Sequence, residues 1–223
     1  MRTKVKITKR QIKEDKFMNF MLRTKDQVMG NWQVLLISAA IVILVIVATV
    51  YFVNRQSTRS VEAADRLNKA ILELRRQNYQ PAILELGSIV DDYSGRVAGL
   101  AQFNLANAHF ESKNYDEAIA NYQKFIDKFH TDDLMTASAI AGIASSMECK
   151  QDFAGAAEKY YEAIKHYPGS PSAPDYYLGA VRCYIQGGNK DKANLMLGEL
   201  KEKFPGTATE RSAVRLAARL ETQ

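Results

Sequence analysis

The sequence predicts an all-α protein in which one membrane-spanning helix precedes a solenoid of about four helix-turn-helix repeats and a C-terminal capping helix. Two observations predict this fold: the uncharged apolar run Val34 to Val53, and a pattern of small, aromatic and turn residues that recurs three times after it. On this basis we divide the 223 residues into a basic segment (1–30), a transmembrane helix (31–54) and a repeat domain (55–223).

The apolar run has the length that a membrane-spanning helix needs. As a helix, its twenty residues would extend about 30 Å, the thickness of the hydrocarbon core of a bilayer. Trp32 and Tyr51 lie near its margins, where amphipathic rings favour the interface. A cleavable signal peptide is the main alternative, but about thirty residues precede the run and no small-x-small cleavage site follows it. We therefore expect the helix to stay in the mature protein and to contact the membrane through Val34–Val53.

The segment before the run carries the excess of basic charge. Residues 1–30 contain nine Lys and Arg against three Asp and Glu, a net +6, which leaves −1 for the rest of a +5 chain. Because basic residues beside a span stay in the cytoplasm, we expect an inner-membrane protein with a cytoplasmic N-terminus and extracytoplasmic repeats. No nucleic-acid partner is expected, since the folded part lacks the basic surplus. Loosely periodic apolar residues within 1–30 predict a short amphipathic helix, either in the headgroup layer or against a cytoplasmic partner.

The pattern after the run identifies four copies of one helical unit. In each copy a turn is followed by a marker alanine: Ala82, Ala118, Ala156 and Ala193, which lie 36, 38 and 37 residues apart. Upstream, each copy has a small or branched residue in an apolar helix, at Ala70, Ala106, Ala144 and Val181. Downstream, a stripe predicts the buried face of each second helix: Leu86 and Ile89, Tyr122 and Phe125, Tyr160 and Ala163, Leu197 and Leu200.

These landmarks resemble those of the tetratricopeptide repeat, a helix-turn-helix unit of about 34 residues. Copy two, with Leu105–Phe110 followed by Asn114–Ile119, is closest to the consensus, and the resemblance covers the chain from about Ser60 to its end. It implies a concave face, lined by the first helix of each copy, that binds proteins or peptides. Apolar residues at helical spacing between Thr207 and Leu220 predict the capping helix that closes such a solenoid.

Helix phase places nine candidate residues on that concave face. They are Phe103, Asn107, Phe110 and Glu111 in copy two, Ser145 and Glu148 in copy three, and Leu178, Arg182 and Ile185 in copy four. Only Asn107 and Arg182 could contribute to a clamp for a ligand carboxylate, so we do not expect a C-terminal carboxylate ligand.

Residues for catalysis or metal binding are sparse in the sequence. His109, His130 and His166 lie in different elements, and the glycines are interpreted as turn residues or, at Gly187–Gly188, as a break between helices. We therefore expect no enzyme activity, cofactor, metal or small-molecule substrate, and a structural role for His109. Cys149 and Cys183 are compatible with a disulfide or with two buried thiols.

The order of basic segment, span and repeat domain is similar to that of the membrane-anchored ancillary subunits of the bacterial Sec translocon, which are linked to periplasmic chaperones. That similarity is one of architecture and implies a tethered scaffold at the periplasmic face of the inner membrane. Two alternatives remain: a cell-envelope assembly or division factor, and an import receptor anchored by its N-terminus with the opposite topology.

Overall fold

The computed structural model describes residue 18 and residues 32–129 and 132–221, and within them every regular element is an α-helix. The all-α prediction is confirmed. The basic segment with its amphipathic helix lies outside the described residues apart from Met18, as does His130. In chain order the described helices are α1 (Trp32–Arg75), α2 (Tyr79–Asp92), α3 (Gly95–Glu111), α4 (Tyr115–Phe129), α5 (Asp133–Cys149), α6 (Phe153–His166), α7 (Ala173–Gln186), α8 (Lys190–Lys203) and α9 (Ala208–Glu221).

The chain forms two compact units, Met1–Arg59 and Ser60–Gln223. In the first unit the described helix is strongly apolar. Helix α1 contains an 18-residue window with a mean hydropathy of 2.9, of which nothing is buried in the protein. By length and composition it is the one helix among the described residues that could cross a membrane.

The second unit is a series of helix pairs whose turns repeat with the sequence period. Each second helix begins directly after the predicted turn, at Tyr79, Tyr115, Phe153 and Lys190. Two of the turns are closed by side-chain caps, since Asp152 accepts from the Gly155 amide at 3.0 Å and Asn189 from the Lys192 amide at 3.1 Å.

The core of the second unit contains the residues that the repeat pattern predicted to be buried. The marker alanines and the four upstream residues are at most 4% exposed. The whole predicted stripe is buried as well: Leu86, Ile89, Tyr122, Phe125, Tyr160, Ala163, Leu197 and Leu200. Small side chains at the helix crossings allow close approach, and the large residues of the stripe fill the space between successive copies.

Helix α9 occupies the place predicted for the capping helix. Thr207 accepts from the Glu210 amide at 3.1 Å and so caps the start of the helix. Ala213 is fully buried against the core of copies three and four, where the partly buried Val214 and Ala217 also pack.

The interpretation of the glycines as turn residues is wrong for six of them. Gly87, Gly99, Gly142, Gly155, Gly179 and Gly198 lie inside helices. Two of these positions are required by packing: a Cβ on Gly142 would lie 2.6 Å from Cε2 of Tyr122, and one on Gly179 would lie 2.7 Å from Cζ of Tyr160. A ring from one second helix therefore packs directly on the backbone of the next copy's first helix.

Candidate functional site

A cavity of about 400 Å³ lies among α3, α5 and the start of α7, the first helices of copies two, three and four. We call it the groove. Five of the nine candidate residues line it, namely Phe103, Asn107, Phe110, Glu111 and Ser145. The structure therefore brings the candidates of copy two together with one residue of copy three.

The four other candidates are placed elsewhere. Glu148 and Arg182 bind each other, and neither is among the residues that line the cavity. Leu178 and Ile185 are partly buried and pack against the core of copies three and four. Helix phase alone placed these two on the concave face, whereas in the structure their apolar surface contacts the core.

Two tyrosine hydroxyls support groove residues in the same way in successive copies. The Tyr122 hydroxyl donates to Oδ1 of Asn107 at 2.5 Å, and the Tyr160 hydroxyl lies 2.7 Å from Oγ of Ser145. Each tyrosine follows its partner by fifteen residues. Burial raises the pKa of Tyr122 well above its usual range and that of Tyr160 to about 12. Both phenols therefore stay neutral and hold their partners in fixed rotamers.

The Glu148–Arg182 pair links copies three and four beside the groove. Nε of Arg182 donates to Oε1 of Glu148, and Nη2 donates to Oε2 at 2.7 Å. The Tyr160 hydroxyl adds a longer hydrogen bond of 3.4 Å to the same carboxylate. The hydrogen bonds that Arg182 donates to the Glu148 carboxylate raise the pKa of Arg182, so the guanidinium stays charged. Because Arg182 is already engaged in this bidentate pair, it is not available to a ligand carboxylate.

The groove itself is acidic. Glu111, at the end of α3, and Asp175, at the start of α7, line it, and no Lys or Arg does so among the described residues. Asp175 accepts one hydrogen bond, from Oγ1 of Thr209 at 3.1 Å. Tyr176 also lines the groove and is 5% exposed, and its buried hydroxyl has no hydrogen-bond partner in the described part of the chain.

The remaining candidates for chemistry are dispersed. His109 is half-buried, its Nδ1 is buried without a partner in the residues described, and burial lowers its pKa. No group of three or more His, Cys, Asp or Glu residues that could hold a metal ion occurs within the described ranges. Cys149 and Cys183 are both free, so they do not form the disulfide considered above; Cys183 is buried, while Cys149 is exposed, contrary to the alternative of two buried thiols.

Sequence reasoning missed seven of the residues that line the groove: Tyr122, Ser138, Ala141, Gly142, Ser172, Asp175 and Tyr176. Tyr122 was assigned only to the core. A signal for its second role is present, because Gly142 and Gly179 lie 37 residues apart and opposite Tyr122 and Tyr160 in the same repeat register. No comparable pattern marks Asp175 and Tyr176, which lie in the first turn of α7.

Family models agree with this architecture. A model described as a tetratricopeptide repeat-like domain matches residues 28–166, more than half of the chain, and one described as a tetratricopeptide repeat matches residues 150–220. The chain belongs to the tetratricopeptide-repeat family. No curated protein matches it.

Solved tetratricopeptide-repeat structures share the fold at low identity. A Podosopora anserina putative kinesin light chain with nearly identical repeats aligns with a TM-score of 0.59 and 14% identity, covering 71% of this chain and 84% of that one. A tetratricopeptide repeat protein from Parabacteroides merdae gives 0.60 and 12%, covering 72% and 60%. Pseudomonas aeruginosa pilF gives 0.50 and 16%, covering 67% and 64%.

Proposed function

We propose that this protein is a membrane-tethered scaffold whose groove binds segments of partner proteins. The observation that carries the proposal is the groove itself, which is built from the first helices of three successive repeats in a family whose domains generally mediate protein–protein interaction. Its aromatic walls, Phe103 and Phe110, are half-buried and offer apolar contact area. Two of its polar residues, Asn107 and Ser145, are held by the Tyr122 and Tyr160 hydroxyls, so these side chains lose little entropy when a partner binds.

The tether in this proposal is the apolar part of α1. Its support is an exposed 18-residue window with a mean hydropathy of 2.9. The nine basic residues of 1–30 favour a cytoplasmic N-terminus. The repeats would then act at the periplasmic face of a bacterial inner membrane, in the manner of an ancillary, chaperone-linked subunit of the Sec translocon.

The proposed role is non-catalytic and needs no cofactor. What supports this is the state of the ionisable groups around the groove: Glu148 is engaged by Arg182, and the phenols of Tyr122 and Tyr160 are held neutral by burial. The two phenols therefore lack the poised pKa that acid–base catalysis near neutral pH requires.

The direct test is photocrosslinking in native membranes. A photoreactive residue is placed at Phe110, inside the groove, and in a matched variant at Leu195, which is 59% exposed on α8 outside it. We expect Phe110 to capture polypeptides that Leu195 does not. Translocon subunits or secreted clients in that fraction would support the specific reading, and envelope-assembly or division proteins would favour that alternative. Equal capture from both positions would contradict a binding groove.

Topology has a separate test. Protease added to the outside of spheroplasts should digest the repeat domain. If the repeats survive while a periplasmic control protein is digested, the orientation is reversed, as expected for an import receptor with its repeats in the cytosol.

A further inference from the structure

We infer that the groove selects a segment that presents a basic side chain, Lys or Arg, next to an apolar one, and that it disfavours acidic segments. This rests on the proposed function, because it specifies the chemistry of the partner at the same site. Three features of the groove lead to it: its charge, an unsatisfied hydroxyl and its aromatic walls.

The described lining of the groove contains acidic side chains and no Lys or Arg. Glu111 and Asp175 line it from two different helices. The guanidinium of Arg182 is already paired with both oxygens of Glu148. Two carboxylates at a cavity with low-dielectric walls favour a cation and oppose an anion.

The hydroxyl of Tyr176 is an independent sign of a missing polar group. Tyr176 lines the groove, and its hydroxyl is buried and has no partner among the described residues. A buried unpaired hydroxyl is unfavourable, whereas the phenol oxygen can accept a hydrogen bond from an ammonium or guanidinium group. A basic side chain between Asp175 and Tyr176 would therefore supply both the charge and the donor that the groove lacks.

The walls suit the aliphatic part of such a segment. Phe103 and Phe110 lie on the α3 side, and Ala141 lies on the α5 side. Aromatic faces attract Lys and Arg side chains and also bind aliphatic stems, so an apolar neighbour of the basic residue would pack there. The volume of about 400 Å³ is within the range of sites that enclose a small ligand, which is adequate for side chains of this size.

The experiment compares three labelled peptides on the full chain in non-ionic detergent. Each is a short Ala/Leu peptide with one central residue, which is Lys, Gln or Glu, and binding is followed by fluorescence anisotropy. We expect the Lys peptide to bind about tenfold more tightly than the Glu peptide at low salt. The difference should shrink as the ionic strength rises and screens the carboxylates.

Matched variants locate the effect. Glu111→Gln and Asp175→Asn should each weaken the Lys peptide about three- to tenfold and leave the Gln peptide unchanged, while Glu202→Gln, an exposed carboxylate on α8, should have no effect. Tyr176→Phe should also weaken the Lys peptide about threefold, because the acceptor is removed without a change of shape. Phe110→Ala should weaken all three peptides.

The outcomes separate the two proposals. If the Glu peptide binds as tightly as the Lys peptide, or if Glu111→Gln behaves like Glu202→Gln, the charge selectivity is refuted. The groove function would still stand in that case, provided that Phe110→Ala weakens binding. If Phe110→Ala changes the affinity of none of the three peptides, the groove is not a peptide-binding site and both proposals are refuted.

Discussion

The contact between Gly142 and the ring of Tyr122 predicts that a methyl group added at this glycine destabilises the protein. In an unconstrained helix interior, Gly→Ala stabilises by about 0.8–1 kcal/mol. At Gly142, however, the new Cβ would lie 2.6 Å from Cε2 of a ring that is 4% exposed. Ordinary carbon contacts are about 3.5–4.0 Å, so ring and helix would have to separate by roughly 1 Å. Overpacking of this kind costs typically about 1–3 kcal/mol.

The two terms set the expected size of the effect. Gly142→Ala should be net destabilising by up to about 2 kcal/mol, a fall in Tm of up to about 8 °C for a domain of this size. Gly87→Ala is the matched control, because it lies inside α2 and nothing is within 4 Å of its added Cβ. That variant should gain about 0.5–1 kcal/mol and melt a few degrees higher. The assay is thermal unfolding of the full chain in non-ionic detergent, followed by circular dichroism at 222 nm.

A second substitution tests whether the ring is the cause. Copies one and four carry Leu86 and Leu197 at the position that Tyr122 occupies in copy two. Tyr122→Leu should therefore cost less in the Gly142→Ala background than in the wild type, with a coupling of about 1 kcal/mol or more. If Gly142→Ala raises the Tm as much as Gly87→Ala does, the close packing of helix against ring is refuted.

Three further predictions concern the turns, the ion pair and the phenols. Lys113 has φ 66 in the turn before α4, so Lys113→Gly should stabilise by about 0.5–1 kcal/mol in the same melting assay and Lys113→Ala should not. Arg182→Met should destabilise by about 1–2 kcal/mol in urea unfolding, because it leaves Glu148, whose side chain is 17% exposed, unpaired. This value is smaller than for a fully buried ion pair because the Arg182 side chain is partly exposed to solvent. Adding Glu148→Gln should recover part of the loss. Burial raises the pKa of Tyr160 from about 10 to about 12, so between these pH values the phenol ionises in the unfolded state before it does in the folded state. The free energy of unfolding should therefore fall by about 1.4 kcal/mol per pH unit within that window. Tyr160→Phe should make the fall shallower, and an unchanged pH dependence would contradict the burial of this phenol.

The fold was predictable because the residues that determine each helix-turn-helix unit are close in sequence and the same pattern recurs in four copies. A turn and a marker alanine start every second helix, with an aromatic residue after the turn in copies one to three, so the four copies support one another although copy four departs from the pattern. Burial followed from the same spacing, since a residue that sits at a helix crossing in one copy, such as Ala106, has the same position in the next, Ala144.

The groove was only partly predictable, because helix phase gives the side of the helix on which a side chain lies but not how deeply that side chain is buried. Phase gives the side of α3 that lines the cavity, yet it cannot tell whether a half-buried residue such as Leu178 contacts the groove or the neighbouring helix. It also assigns each second helix to the core alone. Tyr122 is buried there and still reaches Asn107, because Gly142 leaves room for its ring to pass.

One register of positions explains why the two ends of the concave face differ. Positions 107, 145 and 182 are equivalent by the spacing of 38 and 37 residues, as are positions 122, 160 and 197. In copies two and three the second position is a tyrosine whose hydroxyl holds Asn107 or Ser145 within the same copy. In copy four it is Leu197, which offers no hydroxyl.

Arg182 is therefore left without a partner in its own copy and binds Glu148 of the copy before it. The Tyr122–Asn107 and Tyr160–Ser145 hydrogen bonds thus lie within one copy, whereas the Arg182–Glu148 pair joins two copies. Because the pair orders the side chains beside the groove before a ligand arrives, that part of the site loses less conformational entropy on binding. Breaking the pair should accordingly weaken partner binding even though neither residue lines the cavity. If Arg182→Met leaves the affinity of the Lys peptide unchanged while it lowers the Tm, the pair serves the stability of the solenoid alone.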